Sequence, residues 1–196
     1  MSRNIKIATI LPYKENYTVS KAQAAAIWVA DFYKYSRFKE NNFIFGHTKD
    51  KDYLSKNYIN INISNLKSKF SSSTKEYCKN IIKKSKKMNF DIIEIHNRPK
   101  VFEYLSPKLK SKYILYFHND PLSMNGSISK NERVSLLKNL DKIIFVSRWV
   151  RNRFFDNIDK KLIHKTEIVY PSIDKIKNFP KKEKKIVFVG KLNKSK

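Results

Sequence analysis

Glycine is scarce in this chain: Gly46, Gly126 and Gly190 are its three occurrences in 196 residues. A dinucleotide-binding G-x-G-x-x-G turn needs glycines where the backbone approaches a pyrophosphate, and none of the three follows the first strand-like run, IKIATIL at residues 5–11. A dehydrogenase of that kind thereby loses its main support. Cysteine is scarcer still. With Cys78 alone there can be neither an internal disulfide nor a thiolate-based zinc cluster, which accords with a reducing compartment, and the residue reads as a small buried hydrophobe on a helix. No apolar run nears the roughly 18 to 20 residues of a membrane-spanning helix, and the first residues lack the apolar core of a signal peptide, so the expected location is cytoplasmic. Acidic residues are few as well. Seventeen Asp and Glu against 42 Lys and Arg leave a net charge of +25, a balance that suits nucleic acid or an anionic membrane surface. Phosphate tracking needs cations gathered on one surface with aromatics to stack bases, whereas these lysines are dispersed from Lys6 to Lys196. Nucleic acid is therefore not the expected partner, and a basic nucleic-acid-binding protein remains the alternative reading.

What the chain does contain is apolar runs that end in polar turns. In YILYFHNDP, residues 113–121, five apolar residues without polar alternation suit a parallel strand buried on both faces, and the run stops at His118, Asn119, Asp120 and Pro121. DIIEIHNRP, residues 91–99, repeats the signature and closes on His96, Asn97, Arg98 and Pro99. Open α/β sheets bind their ligands at the carboxyl ends of strands. His118 is thus a candidate catalytic residue, and His96, Asn97, Asn119 and Asp120 are candidate substrate-binding residues, with Ser147 at the end of a further strand over residues 142–146. Asn and Pro are also ordinary turn formers, and a histidine leaving a strand is often only hydrogen-bonded. Two such exits on neighbouring strands carry more weight than either alone.

Helical spacing fills the intervals. Ser20 is placed to cap a helix through Ala22, Ala25, Ala26, Val29, Phe32 and Tyr33, and Ser73 with Glu76 forms a capping-box pattern ahead of Tyr77, Cys78, Ile81 and Ile82. Ser129 with Glu132 forms another ahead of Leu136, Leu137 and Leu140, and Ser147 can cap a helix carrying Trp149, Val150, Phe154 and Phe155. Shorter strands are expected over residues 42–45, 58–63 and 167–170. The alternation predicts an α/β fold: a doubly wound, mostly parallel Rossmann-like sheet over residues 1–170. Residues 171–185, lysine-rich and holding Pro171 and Pro180, read as a linker, and IVFV at residues 186–189 reads as the first strand of a second domain.

Taken in order, DIIEIHNRP, YFHNDPLSMNGS, NERVSLLKNLDKIIFVS, EIVYPSID and KKIVFVGKLNKSK resemble the GT-B glycosyltransferases, specifically family four of the retaining enzymes. The resemblance covers most of residues 91–196 and fits residues 1–90 more loosely. It implies the amino-terminal, acceptor-side half of an enzyme that moves a sugar from a nucleotide-sugar donor to a glycan or lipid-linked acceptor, as in cell-surface polysaccharide synthesis. No metal and no cofactor beyond the donor are implied. His118 matches the family's histidine facing the donor sugar. Lys191 and Lys196 match the basic pair that contacts the donor diphosphate, with Lys191 standing where the family usually has Arg. The sequence departs from the family where Tyr13 to Ser20 lack the Gly-Gly loop after the first strand, and where YPSID replaces N-G-I-D. It also ends before the paired glutamates of the donor domain, so the chain is expected to lack most of the donor site and to be inactive alone. A non-catalytic fragment is a further alternative. In family members with lipid-linked acceptors a basic amphipathic element docks on membrane, and residues 70–88, from Phe70 with six lysines, are the matching candidate for weak, salt-sensitive binding to an anionic surface.

Overall fold

The computed structural model describes residues 4–63, 72–172, 181 and 184. The expected linker falls largely outside these residues. The strand expected at 186–189, Phe70, Lys191 and Lys196 fall wholly outside them.

The described residues form one sheet of seven strands, all parallel: β1 Ile7–Ile10, β2 Asn42–Gly46, β3 Tyr58–Asn60, β4 Ile92–His96, β5 Lys112–Phe117, β6 Lys142–Phe145 and β7 Thr166–Ile168, in the spatial order β3-β2-β1-β4-β5-β6-β7. Among the described residues five α-helices lie between them: α1 Ala24–Tyr35, α2 Ser73–Ser85, α3 Pro99–Leu105, α4 Lys130–Asn139 and α5 Arg148–Phe154. Successive side chains of a strand point to opposite faces, and both faces are covered. Ala8, Ile10, Ile93, Ile95, Leu115 and Phe117 point into one core with Tyr77 and Ile81 of α2 and Leu136 of α4. Ile44, Tyr116 and Ile144 point into the other with Ala26, Trp28 and Val29 of α1. Burial on both sides is what gives the strands their unbroken apolar runs. The sheet is thus the doubly wound, Rossmann-like arrangement expected from the alternation.

Chain order reverses between β1 and β4. From β1 the chain steps outward to β2 and β3, then returns past β1 to lay down β4, β5, β6 and β7 on the other side. A crevice opens at the carboxyl ends of strands where such a reversal occurs, and β4 and β5, with the two histidine exits, stand beside it.

Three helix starts differ from expectation. Ser20 does not cap α1: its backbone N–H donates to Asp52 Oδ2 at 3.0 Å, and the helix begins at Ala24 with no cap from Gln23. α2 is capped by Ser72, whose Oγ accepts from Lys75 N at 3.2 Å, so Ser73 is the first helical residue and Glu76 lies one position too far along to close a capping box. α3 starts at Pro99, which the strand-exit turn was expected to hold; proline suits the first helical position because its missing N–H would have no partner there. The box on α4 is present as expected, with Ser129 Oγ accepting from Glu132 N and Glu132 Oε2 accepting from Ser129 N. Cys78 is buried, also as expected.

Candidate functional site

β4 and β5 lie side by side with His96 opposite Tyr116, which carries the two polar exits to one edge. Asn97 joins them. Its φ of +52° is a left-handed conformation that Asn tolerates better than most residues. Turned this way, its N–H donates to Tyr116 O at 2.8 Å and its side-chain Oδ1 accepts from His118 N at 2.8 Å. The Asn97 amide therefore fixes the direction in which β5 leaves the sheet. The imidazoles meet behind it, with His96 Nδ1 2.8 Å from His118 Nε2.

Aromatic rings enclose this pair. His96 stacks on Tyr116 with centroids 4.5 Å apart, and Trp28 of α1 packs at 5.6 Å from His96 and 5.2 Å from His118. Burial makes a charged imidazole costly, so the His96 pKa is driven well below its usual value, with the neighbouring His118 pushing the same way, and burial brings His118 down to about 4. Both rings are neutral at neutral pH. His118 keeps part of its surface open, whereas His96 is 1% exposed. His96 is buried among these rings, and its link to the crevice edge runs through His118.

Asn119 is exposed at the edge. Asp120 is committed twice, with Oδ1 accepting from Leu122 N at 3.0 Å to cap the turn Pro121–Ser123, and Oδ2 accepting from Arg153 Nη2 at 3.2 Å. Its carboxylate holds the loop to α5. Ser147 caps α5, its Oγ accepting from Val150 N at 3.2 Å. Asn97 also lines an open cleft of about 460 Å³ between the first turns of α2 and α3 and the loop before α4, together with Ser72, Arg98, Lys100, Tyr104 and Glu132. Gly126 permits that enclosure. At φ +94° a side chain would be strained, and a Cβ would come within 3.1 Å of Lys100 N.

Several residues that shape this edge went unnoticed in the sequence. Arg133 is 3% exposed and donates to four carbonyls, Ser127 O, Ile128 O, Phe154 O and Asp156 O, and so ties the cleft loop to the end of α5. Its signal was legible, since positions 133, 136, 137 and 140 share one helical face. Tyr77 donates to Leu11 O and Phe45 O, the carbonyls where β1 and β2 leave the sheet. Glu15 lies in the loop after β1, and its Oε1 accepts from Ala26 N at 3.1 Å in place of a local cap on α1. Burial raises its pKa, although the amides of Ala26 and Ala25 oppose that rise. The glycine-free loop thus puts the chain's own carboxylate on the amides of that helix end. Among the described residues, no group of three or more His, Cys, Asp or Glu is placed to hold a metal ion, and no helix is long and apolar enough to cross a membrane.

Among solved structures, the chain is similar to Anabaena HepE in complex with UDP-glucose, with a TM-score of 0.59, 10% identity, and coverage of 86% of this chain and 44% of that one. It is likewise similar to sucrose-phosphate synthase from Thermosynechococcus elongatus, at 0.58 and 12% over 84% of this chain and 48% of that one. The likeness is one of fold. A part-length form of the same synthase matches at 0.58 and 10%, over 86% of this chain and 91% of that one. The shared architecture is the Rossmann-like half of a GT-B fold, and the chain spans less than half the length of the first two proteins. No family profile and no curated protein matches it.

Proposed function

We propose that this chain is the acceptor-side half of a retaining, family-four glycosyltransferase that moves a sugar from a nucleotide-sugar donor to a glycan or lipid-linked acceptor in polysaccharide synthesis on the cytoplasmic face of a membrane. The observation that carries this reading is His118. A neutral imidazole, fixed through both its backbone and its ring at the carboxyl edge beside the chain reversal and still partly open, supports a hydrogen bond to a bound sugar. The fold likeness to a protein solved with UDP-glucose supports a nucleotide sugar as the ligand. The neighbouring cleft falls within the roughly 300–1,000 Å³ typical of small-molecule sites and supplies an acceptor wall, with Asn97 common to cleft and histidine pair. Asn119 adds an exposed amide at the same edge, whereas Asp120 and Ser147 serve by holding the loop and α5 in place. Lys191 and Lys196 are assigned to the donor diphosphate, where two cations offset the charge of the leaving group. The reaction needs no further cofactor and no metal.

The test is sugar transfer by protein translated through any open frame that follows Lys196, with and without His118→Ala. Turnover per folded molecule should fall at least about 100-fold, much more than stability does. The 196 residues alone should transfer no sugar. Unchanged specific activity in a destabilised variant would assign His118 to structure.

A further inference from the structure

The contact between His96 Nδ1 and His118 Nε2 needs one proton, and each neutral ring carries one. Two arrangements satisfy this. If His118 donates, the His96 proton sits on Nε2. If His96 donates, its Nε2 is a bare lone pair, and the His118 proton sits on Nδ1, the ring nitrogen that makes no hydrogen bond among the described residues. The two arrangements give His118 opposite chemistry, a lone pair facing outward in the first and an N–H facing outward in the second.

The surroundings of His96 Nε2 decide between them. It is walled in with no partner among the described residues. A buried N–H without an acceptor is among the rarest defects of folded proteins, and an under-used acceptor is tolerated more often. Of the other unpaired polar groups there, Trp28 Nε1–H, on the ring that packs against His96, is a donor only, and the Tyr33 hydroxyl can donate or accept. Trp28, Tyr33 and His96 line one cavity of about 240 Å³ beneath α1. Glu94 lines the same cavity, but both its oxygens are engaged, Oε2 accepting from Thr9 Oγ1 at 2.8 Å and Oε1 from Tyr116 Oη at 3.1 Å. A lone pair on Nε2 leaves an under-used acceptor there, whereas a proton would make a second unpaired donor beside Trp28 Nε1–H.

We infer that His96 donates its Nδ1 proton to His118 Nε2 and thereby holds His118 in the tautomer that presents Nδ1–H outward, as a hydrogen-bond donor and not as a base. His96 is then a positioning residue acting through His118. Its consequence for transfer rests on the reading of His118 as the residue that faces the sugar: the ring would donate to a sugar hydroxyl or phosphate oxygen, with its other nitrogen already occupied.

Long-range ¹H–¹⁵N correlation on the ¹⁵N-histidine-labelled chain at neutral pH reads the tautomers directly. The expected pattern is a proton on Nδ1 of both rings and none on either Nε2; a proton on His118 Nε2 overturns the inference. His96→Gln can still donate through its amide and should preserve the His118 pattern, while His96→Glu, an acceptor when ionised, should move the His118 proton to Nε2. If both variants leave the same His118 tautomer, His96 does not set it. The spectra need no turnover, so the expected tautomer in a protein indifferent to His118→Ala would remove the transferase reading alone. In a transferring protein, kcat should fall about tenfold further for His96→Glu than for His96→Gln, the worth of about one hydrogen bond.

Discussion

His118 should remain neutral down to about pH 4, which a histidine NMR titration of the folded chain reads directly. The consequence for stability has a definite sign. The unfolded chain binds its proton near the ordinary value of 6.5 and the folded chain only near 4, so the contribution of His118 is full above pH 6.5 and is lost as pH falls toward 4. The loss amounts to about 3 kcal/mol, and the depressed His96 adds in the same direction. Glu94 runs the other way: burial raises its carboxyl, so its contribution is full below its usual 4.5 and fades as pH rises through the folded value. Urea midpoints taken from neutral pH down to about pH 4 should therefore fall, and a flat profile would mean that the imidazoles are solvated. Arg133 sets the strongest expectation for a single substitution. Arg133→Ala leaves four carbonyls without their donor and should cost about 3 kcal/mol in denaturant unfolding, and Arg133→Lys should recover little because one ammonium cannot span them.

Among the elements, α1 depends on a distant partner. Its end is held by Glu15, eleven positions before Ala26, so Glu15→Ala should destabilise the chain by about 1 kcal/mol and speed hydrogen exchange at the Ala26 amide, with Glu15→Gln intermediate. The local sequence pointed to Ser20 because an N-cap is ordinarily adjacent to its helix, and only the path of the loop brings a side chain back from residue 15. α2 shows the reverse case. Its spacing alone told which face is apolar, and Tyr77, Cys78 and Ile81 are indeed buried while Lys75, Lys79, Lys83, Lys84, Lys86 and Lys87 remain outside. With no apolar face left over, this helix can meet a membrane through charge only, at on the order of 1 kcal/mol per suitably oriented lysine. Sedimentation with anionic vesicles should show weak binding that high salt abolishes; binding that survives salt would require apolar insertion.

At the scale of the whole molecule, His96 and His118 are 22 positions apart, and their contact depends on β4 and β5 being neighbours in register. The strands themselves were legible because burial on both faces demands continuous apolar runs, and the runs end where polar turns begin. That the two histidine exits share an edge was legible too, since a short strand-helix-strand unit returns its second strand beside the first. What the sequence by itself determined was therefore the period of the pattern: which segments are strands, which faces of α2 and α4 turn inward, and which polar residues stand at the carboxyl edge. Tertiary structure alone decided what those residues do there. It made His96 a partner of His118, committed Asp120 to Arg153, lent Glu15 to α1 and surrounded Arg133 with carbonyls. Periodicity is a property of neighbours along the chain, whereas the partner of a buried polar group is set by whichever segment packs against it, and that depends on strand order and loop path.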